Sequence, residues 1–512
     1  MFTKKNKEKE LKNLEQQSNY EGRALHNALD FNINLVKEIF TDDDTLMVRY
    51  FQNQQHTSIR CCIAFIDGMV NIEMVNENVI QPIIQNTMLK SSNAALENLQ
   101  NQVIISNDVE KTSNVGKIVS AIVGGNTVLF LDGSPEALII HTKGWQSRAI
   151  EEPEGEKVIR GPREGFTEPI MVNLTLLRRK LETPNLKFKF TTVGVQSHTK
   201  VCICYMENIV NKKILKELYK RLEGIDIDGI LASDYIVELI RDAPFSPFKT
   251  VGTTERPDVV AAKLLEGRIA IIVDGTPVVI TVPYLFVEYF QTNEDYYINF
   301  YFSSIGRILR VLGFIITISI PAVYIALMTF HQEMIPTHLL ISISAARQGV
   351  PFPTIVETMV LLFVFEILRE TGTRMPTNIG QALSIVGALV LGQAAVDARI
   401  VSAPVVIVVG ISGITSLMIP RIQGVAIIFR LLFLLLSAFL GLYGFIFGIT
   451  GFLLHLCELR SFGVPFMLYL TSLDPKDLKD TAIRAPWWYI KYRPKLLAVN
   501  NRVRQATGGK RE

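Results

Sequence analysis

A run of twenty residues without a charge, VLGFIITISIPAVYIALMTF at positions 311–330, changes the solvent in which this chain can fold. A stretch of that length suits a helix crossing the ~30 Å hydrocarbon core of a bilayer. Hydrophobic segments recur from there to about residue 454, whereas the preceding 300 residues read as soluble globular protein. The sequence therefore predicts an α/β head of two modules followed by a polytopic α-helical membrane domain, and a function that couples the two. The expected division is a flexible polar arm at 1–44, a first module at 45–160, a second at 161–300, a helical transmembrane domain at 301–460 and a basic tail at 461–512.

Charge is informative by place, since the net charge is only +3. The first twelve residues hold five Lys and two Glu, and residues 476–512 hold ten Lys or Arg against three acids. Both ends favour the cytoplasmic side by the positive-inside rule. The basic tail is expected either in water or on anionic lipid. The polar start lacks an apolar core and reads as an arm, not an export signal. Cys61, Cys62, Cys202, Cys204 and Cys457 form no CxxC pair. They read as reduced packing residues, with no metal or other cofactor expected.

Three apolar runs end in Asp-Gly, at Asp67-Gly68, Asp132-Gly133 and Asp274-Gly275, each a hairpin signal because Gly supplies a positive φ. The second and third runs, VGGNTVLFLDGSPEALII and LLEGRIAIIVDGTPVVIT, match further and point to an internal duplication. Their aspartates read as turn residues, not catalytic carboxylates. Helical patterns lie between them: residues 211–223 place Ile214, Leu215, Leu218 and Leu222 on one face. No nucleophile–base–acid set stands out, so an enzyme is not expected.

The membrane part carries polar features between positions 357 and 399. Segment 354–368 holds Glu357 and Glu366 and ends at Arg369 and Glu370. Intramembrane carboxylates usually face a cavity or a partner. Glu366 also has the option of an internal pair with Arg369. Segment 379–396, IGQALSIVGALVLGQAAV, ends at Asp397 and Arg399 and is barely long enough to cross. Five crossings would separate two ends that both look cytoplasmic. Four spans plus a re-entrant or broken helix at 376–398 resolve the conflict. A six-span alternative instead bends the last run, 431–454, into a hairpin at Gly441–Gly444. In that run Gly441, Gly444, Gly448 and Gly451 recur at spacings of three, four and three and are expected to pack helices closely.

Longer strings carry a resemblance: VIRGPREGFTEPI with LLRRKLETPNLKF, GIDIDGIL, SPFKTVGTTERPDVVAAKLLEGRIAIIVDGTPVV, the EDYY at Glu294–Tyr297, and PFPTIVETMVLLFVFEILRETGTRMP before the Gly/Ala-rich segment. From about residue 46 to 492 the chain resembles the A subunit of the GerA family of spore germinant receptors. The resemblance implies a multi-pass protein of the bacterial inner spore membrane with both termini cytoplasmic. It implies a permease-like B subunit and a lipoprotein C subunit as partners, further copies of the A subunit in a ring, and membrane lipid, with no nucleic acid. It implies nutrient-triggered cation flux during germination. On that view Gln381, Ser384, Gly387 and Gln393 line the ion pathway, with Glu366 and Glu370 near its mouth. Glu357, Arg369, Asp397 and Arg399 serve as intramembrane charges or partner contacts. The sporulation protein SpoVAF resembles the same family, which leaves an accessory or scaffold role as the alternative.

Overall fold

The computed structural model describes residues 23–87, 95–106, 108–144, 152–153, 155–374, 390, 392–468, 480–481, 483–494, 496–498, 501 and 503–504. The head contains two five-stranded antiparallel sheets built to one plan. The first uses β1 (Leu46–Gln52), β2 (Arg60–Ile66), β3 (Val109–Thr112), β4 (Thr127–Leu131) and β5 (Ala137–Ile140), in the order β1-β2-β4-β5-β3. The second uses β6 (Leu186–Val193), β7 (Thr199–Met206), β8 (Gly252–Thr254), β9 (Ile269–Val273) and β10 (Val279–Val282), in the order β6-β7-β9-β10-β8. Counted within each module, the two orders are identical. The central strands are buried on both faces, so they read as continuous apolar runs, not alternating ones.

Each module opens with a helix before its first strand: α1 (Leu29–Ile39) in the first and, in the second, the equivalent Ile170–Lys180. Each also inserts a helix before its fourth strand, α2 (Val115–Val123) in the first, so that Ile170–Lys180 is α3. The second module adds α4 (Lys212–Glu223), α5 (Ser233–Ile240) and, before its fourth strand, α6 (Pro257–Leu264). The start of α1 corrects the expected boundary at residue 45. Leu29, Ile33 and Val36 are buried in the first module's core, so residues 29–39 belong to that module and not to a flexible arm. Asp67-Gly68 is also not a hairpin. It closes β2, and the chain goes on to helical turns at Ile72–Gln85; its counterpart after β7 is Glu207-Asn208, before α4.

Beyond the head come α7 (Phe300–Thr329), α8 (Thr337–Ala346), α9 (Thr354–Arg374), α10 (Ala403–Leu417) and α11 (Gln423–Glu458). Among the described residues, α7 and the 420–458 helix are long and apolar enough to cross a membrane. The second is not one straight rod. Gly441 has φ 60° and ψ −141°, far from helical values. The rings of Phe429 and Phe452 lie 4.8 Å apart, whereas 23 residues of straight helix would separate them by about 34 Å. Phe433 meets Phe445 at 5.8 Å. The helix therefore doubles back at Gly441 into two antiparallel arms, in place of the single span expected from 431–454. The six-span alternative puts a hairpin at Gly441–Gly444, which includes this bend.

Candidate functional site

The hairpin fixes which end of the helical domain faces the head. A Cβ on Gly441 would lie 2.7 Å from the His331 ring, so the bend sits beside the far end of α7. Phe248 of the head packs against Phe429 and Phe452, with centroids 5.7 and 6.1 Å away, so both open ends of the hairpin face the head. The glycines allow this approach. A Cβ on Gly444 would overlap the Leu436 carbonyl, and one on Gly448 would come within 2.9 Å of the Phe433 ring. Gly451 meets nothing, so the four glycines are not one packing stripe.

The head-side junction is a layer of aromatic and charged side chains. Phe286, Tyr289, Phe290, Phe314 and Phe466 join Phe248 in one buried cluster. Beside it Arg307, fully buried near the start of α7, donates to Asp295 at 2.9 Å and to Asp480 at 2.7 Å. Arg310 donates to the other Asp295 oxygen at 2.5 Å and to the Phe290 carbonyl at 2.7 Å. Glu288 receives Arg268 at 2.5 Å and Lys263. Burial pushes the Glu288 carboxyl up, but Arg268 and Lys263 outweigh burial and hold it below the usual carboxylate range. For Asp480 burial wins over Arg307, and its pKa rises. Arg421, just before the hairpin, donates to Glu156 at 2.8 Å and to the Gln291 carbonyl at 3.2 Å. A cavity of about 170 Å³ lies within this layer, lined by residues that include Lys263, Glu288, Tyr296, Arg421 and Trp487.

The chain after the hairpin returns to the head. Arg460–Ser461 pairs with Val464–Pro465 as a short ribbon, and Phe462 and Val464 enter the second module's core. The Ser461 hydroxyl accepts from Tyr284 N and donates to the Thr250 carbonyl. Further on, Arg493 donates to the Leu265 carbonyl at 2.6 Å, and Leu497 and Ala498 are fully buried against the same module. The described part of the expected solvated or lipid-bound tail is thus a strap across module 2. Its basic residues are drawn in by carbonyls, Arg484 to Ile298 and Arg493 to Leu265, and by Glu266 near Arg504, which net charge alone does not reveal.

Within the helical domain, Glu357 is buried at the start of α9. It accepts from the backbone N and the hydroxyl of Ser402 at 2.9 and 2.8 Å and lies 3.5 Å from Arg347. It thereby ties α9 to the start of α10. Glu366 pairs with both Arg369 and Arg430. Arg430 sits on the first hairpin arm and also donates to the Ser412 hydroxyl at 3.3 Å. Arg430 is inconspicuous in the sequence because the charge-free run begins one residue later. With two guanidiniums on it, Glu366 is a neutralised anchor, not an open anion at a cytoplasmic mouth. Glu370 is exposed on α9. Gln393 donates to Asp397 at 3.0 Å one turn along. Arg399 has a positive φ and packs toward Gly349. Gln381, Ser384 and Gly387 lie outside the described residues. Among the described residues no three His, Cys, Asp or Glu side chains gather as metal ligands.

The Asp-Gly hairpins have a role beyond the turn. Asp132 accepts from Leu29 N at 3.2 Å, and Asp274 accepts from Ile170 N at 3.0 Å. Each anchors the start of its own module's first helix, where the helical N–H groups lack partners. One turn on, Asn32 and Asn173 are both buried and bridge back to His26 and Thr167 with matching bonds.

A family profile described as "Bacillus/Clostridium GerA spore germination protein" matches residues 34–496. "Spore germination protein KA" of Bacillus subtilis (strain 168) is 43% identical over 92% of this chain and 86% of its own length. "Uncharacterized membrane protein YfkQ" of the same organism is 41% identical over 88% of this chain and 87% of its own. The crystal structure of the N-terminal domain of the A subunit of the Bacillus megaterium spore germinant receptor GerK3 aligns at 31% identity. It has a TM-score of 0.38 and covers 52% of this chain and 98% of that one.

Proposed function

The chain belongs to the GerA spore germination protein family, and from that premise we propose that it is the A subunit of a nutrient germinant receptor in the inner spore membrane. In this reading the permease-like B subunit and the lipoprotein C subunit are its partners, and copies of this chain form a cation channel. The observation that carries the coupling is the buried layer joining the second module to the helices. Arg307, Asp295 and Asp480 connect α7, the head and the strap in one network, so a displacement of module 2 is transmitted to the points where the chain enters and leaves the helical domain.

Both hairpin arms cross the bilayer in this reading. Residues 423–440 and 442–458 measure about 27 and 25 Å as helix, close to the hydrocarbon thickness of ~30 Å. Both ends of the chain then lie on the head side. Residues 379–396 line the ion pathway, with Gln381, Ser384, Gly387 and Gln393 offering polar groups to partly dehydrated cations and Glu370 at its headward mouth. Glu366 contributes by holding α9 to Arg430.

Ion flux into proteoliposomes holding the purified complex tests this. Gln393→Ala and Glu370→Gln are expected to lower cation permeability, and unchanged flux in both would remove them from the pathway. The accessory alternative predicts no flux in any arrangement and a copy number that does not close a ring.

A further inference from the structure

Phe245 is fully exposed, an unusual position for a large aromatic side chain in a folded head. Its surroundings explain it. The next residue, Ser246, bonds His455 at 2.9 Å through its hydroxyl. His455 lies three residues from the end of the second hairpin arm, and Phe248 sits among Phe429, Phe452 and His455. Residue 245 is therefore held level with the head-facing end of the hairpin.

We propose that the loop at residues 243–249 seats the head on the bilayer, with Phe245 inserted at the boundary between lipid headgroups and acyl chains. This rests on the reading of the hairpin as membrane-crossing.

The backbone of the loop suits a place with little water. Pro244 and Pro247 have no N–H to satisfy. Ser246 N donates to the Ala243 carbonyl, Phe248 N to the Ser246 hydroxyl and Lys249 N to the Tyr289 hydroxyl. Five of the six positions from 244 to 249 thus have no unmet N–H, Phe245 being the exception, which approaches the condition that a low-water environment imposes on irregular backbone. Lys249 in the loop and Arg460 two residues past the second arm are exposed, as is Glu458 at the end of that arm. Lys249 and Arg460 provide positive charge where anionic headgroups would lie. An aromatic ring at the interface with Lys and Arg around it is the arrangement that interfacial anchoring favours.

Spin-label accessibility on the full chain in liposomes tests the inference. Four of the five cysteines are buried, and burial pushes the Cys61 and Cys62 thiols up to about 12, so a Cys457→Ser background leaves the added thiol as the reactive one. Labels are placed by Phe245→Cys, by Phe447→Cys on the exposed side of the second arm, and by Ile105→Cys in module 1, also exposed. The expected oxygen-to-nickel-chelate accessibility ratio at 245 approaches that at 447 and exceeds that at 105 several-fold. A water-like ratio at 245 beside a lipid-like ratio at 447 overturns the seating of the head and leaves the hairpin crossing intact. Low collision rates with both reagents at 245 mean a protein partner covers it, which also overturns the lipid contact. A water-like ratio at 447 overturns the membrane reading itself.

Discussion

Two modules of one topology sit in unlike surroundings. Module 1 is joined to module 2 by the Asp43–Arg178 pair, 2.6 Å apart and buried at both ends, and by Asp44, which accepts from Phe190 N. Module 2 carries that joint and three more: the aromatic layer over the hairpin, the charge network around Glu288 and Arg307, and the returning strap. Phe462, Val464, Leu497 and Ala498 belong to its cores. Duplication thus supplied a common scaffold, and contacts at its rim made one copy the connector to the helices. The shared parts are internal: the sheet order, the buried Asn32 and Asn173, and the Asp132 and Asp274 anchors.

Breaking each joint separately is the strongest test of that division. Arg307→Ala takes the guanidinium from Asp480, which keeps the Tyr296 hydroxyl, and from one oxygen of Asp295, and is expected to cost about 3–5 kcal/mol, the range for unpairing a buried charge. Hydrogen exchange should then rise at residues 496–498 and leave the strands of module 1 unchanged. Arg178→Ala should cost a similar amount, but with faster exchange at residues 40–45 and an intact strap. An Asp43→Leu/Arg178→Met double variant should recover much of that loss, since replacing both charges leaves neither uncompensated. If the two single variants loosen the same region, the modules are not separately attached.

The hairpin comes next in size. Gly441→Ala places a side chain at φ 60° beside His331 and should cost about 1–3 kcal/mol, read as a lower melting temperature in detergent. In a Cys457→Ser background, a short bis-maleimide should link Phe429→Cys to Phe452→Cys within one chain, as found by mass spectrometry. Failure to link would restore the straight helix.

The equivalence of the modules is tested by smaller effects. Asp132→Ala and Asp274→Ala should each cost about 1 kcal/mol, as for a lost helix N-terminal acceptor. A large difference between them would show that the shared topology does not carry shared energetics.

Acid should act on module 2 through Glu288. Its folded pKa is depressed, so its stabilisation is present above the unfolded carboxylate value of about 4.3 and is lost as pH falls through the lower folded value. Exchange at the 285–290 segment should therefore rise at the acid end of a titration, and Glu288→Gln should abolish that dependence.

Much of this was legible in the sequence. The D-G-[ST]-P repeats marked the duplication. A second signal, RCCIAFIDGMVN at 60–71 against KVCICYMENIVN at 200–211, marks it as well and would have exposed the Asp67 turn as a strand-to-helix connection, since its partner there is Glu-Asn. The turn aspartates were recognisable as turn residues, but their helix partners lie 103 and 104 positions away, beyond any local pattern. Arg430 was hidden because a charge at the edge of an apolar run looks like the end of a span until its partner is known. The strap looked like a solvated basic tail because composition does not say which carbonyls and carboxylates lie within reach.

The sequence by itself determined the change of composition near residue 311, the repeated module, the turns at Asp132 and Asp274, and the family. All of these follow from local composition or from strings compared in register. Only the tertiary structure decided that the last apolar run doubles back at Gly441, that Glu366 faces Arg430, and that the tail closes over module 2. A glycine is compatible with either a straight or a bent helix. The choice here falls to Phe429 and Phe452, Gly444 and Leu436, and Gly448 and Phe433, whose packing exists only once both arms are in place.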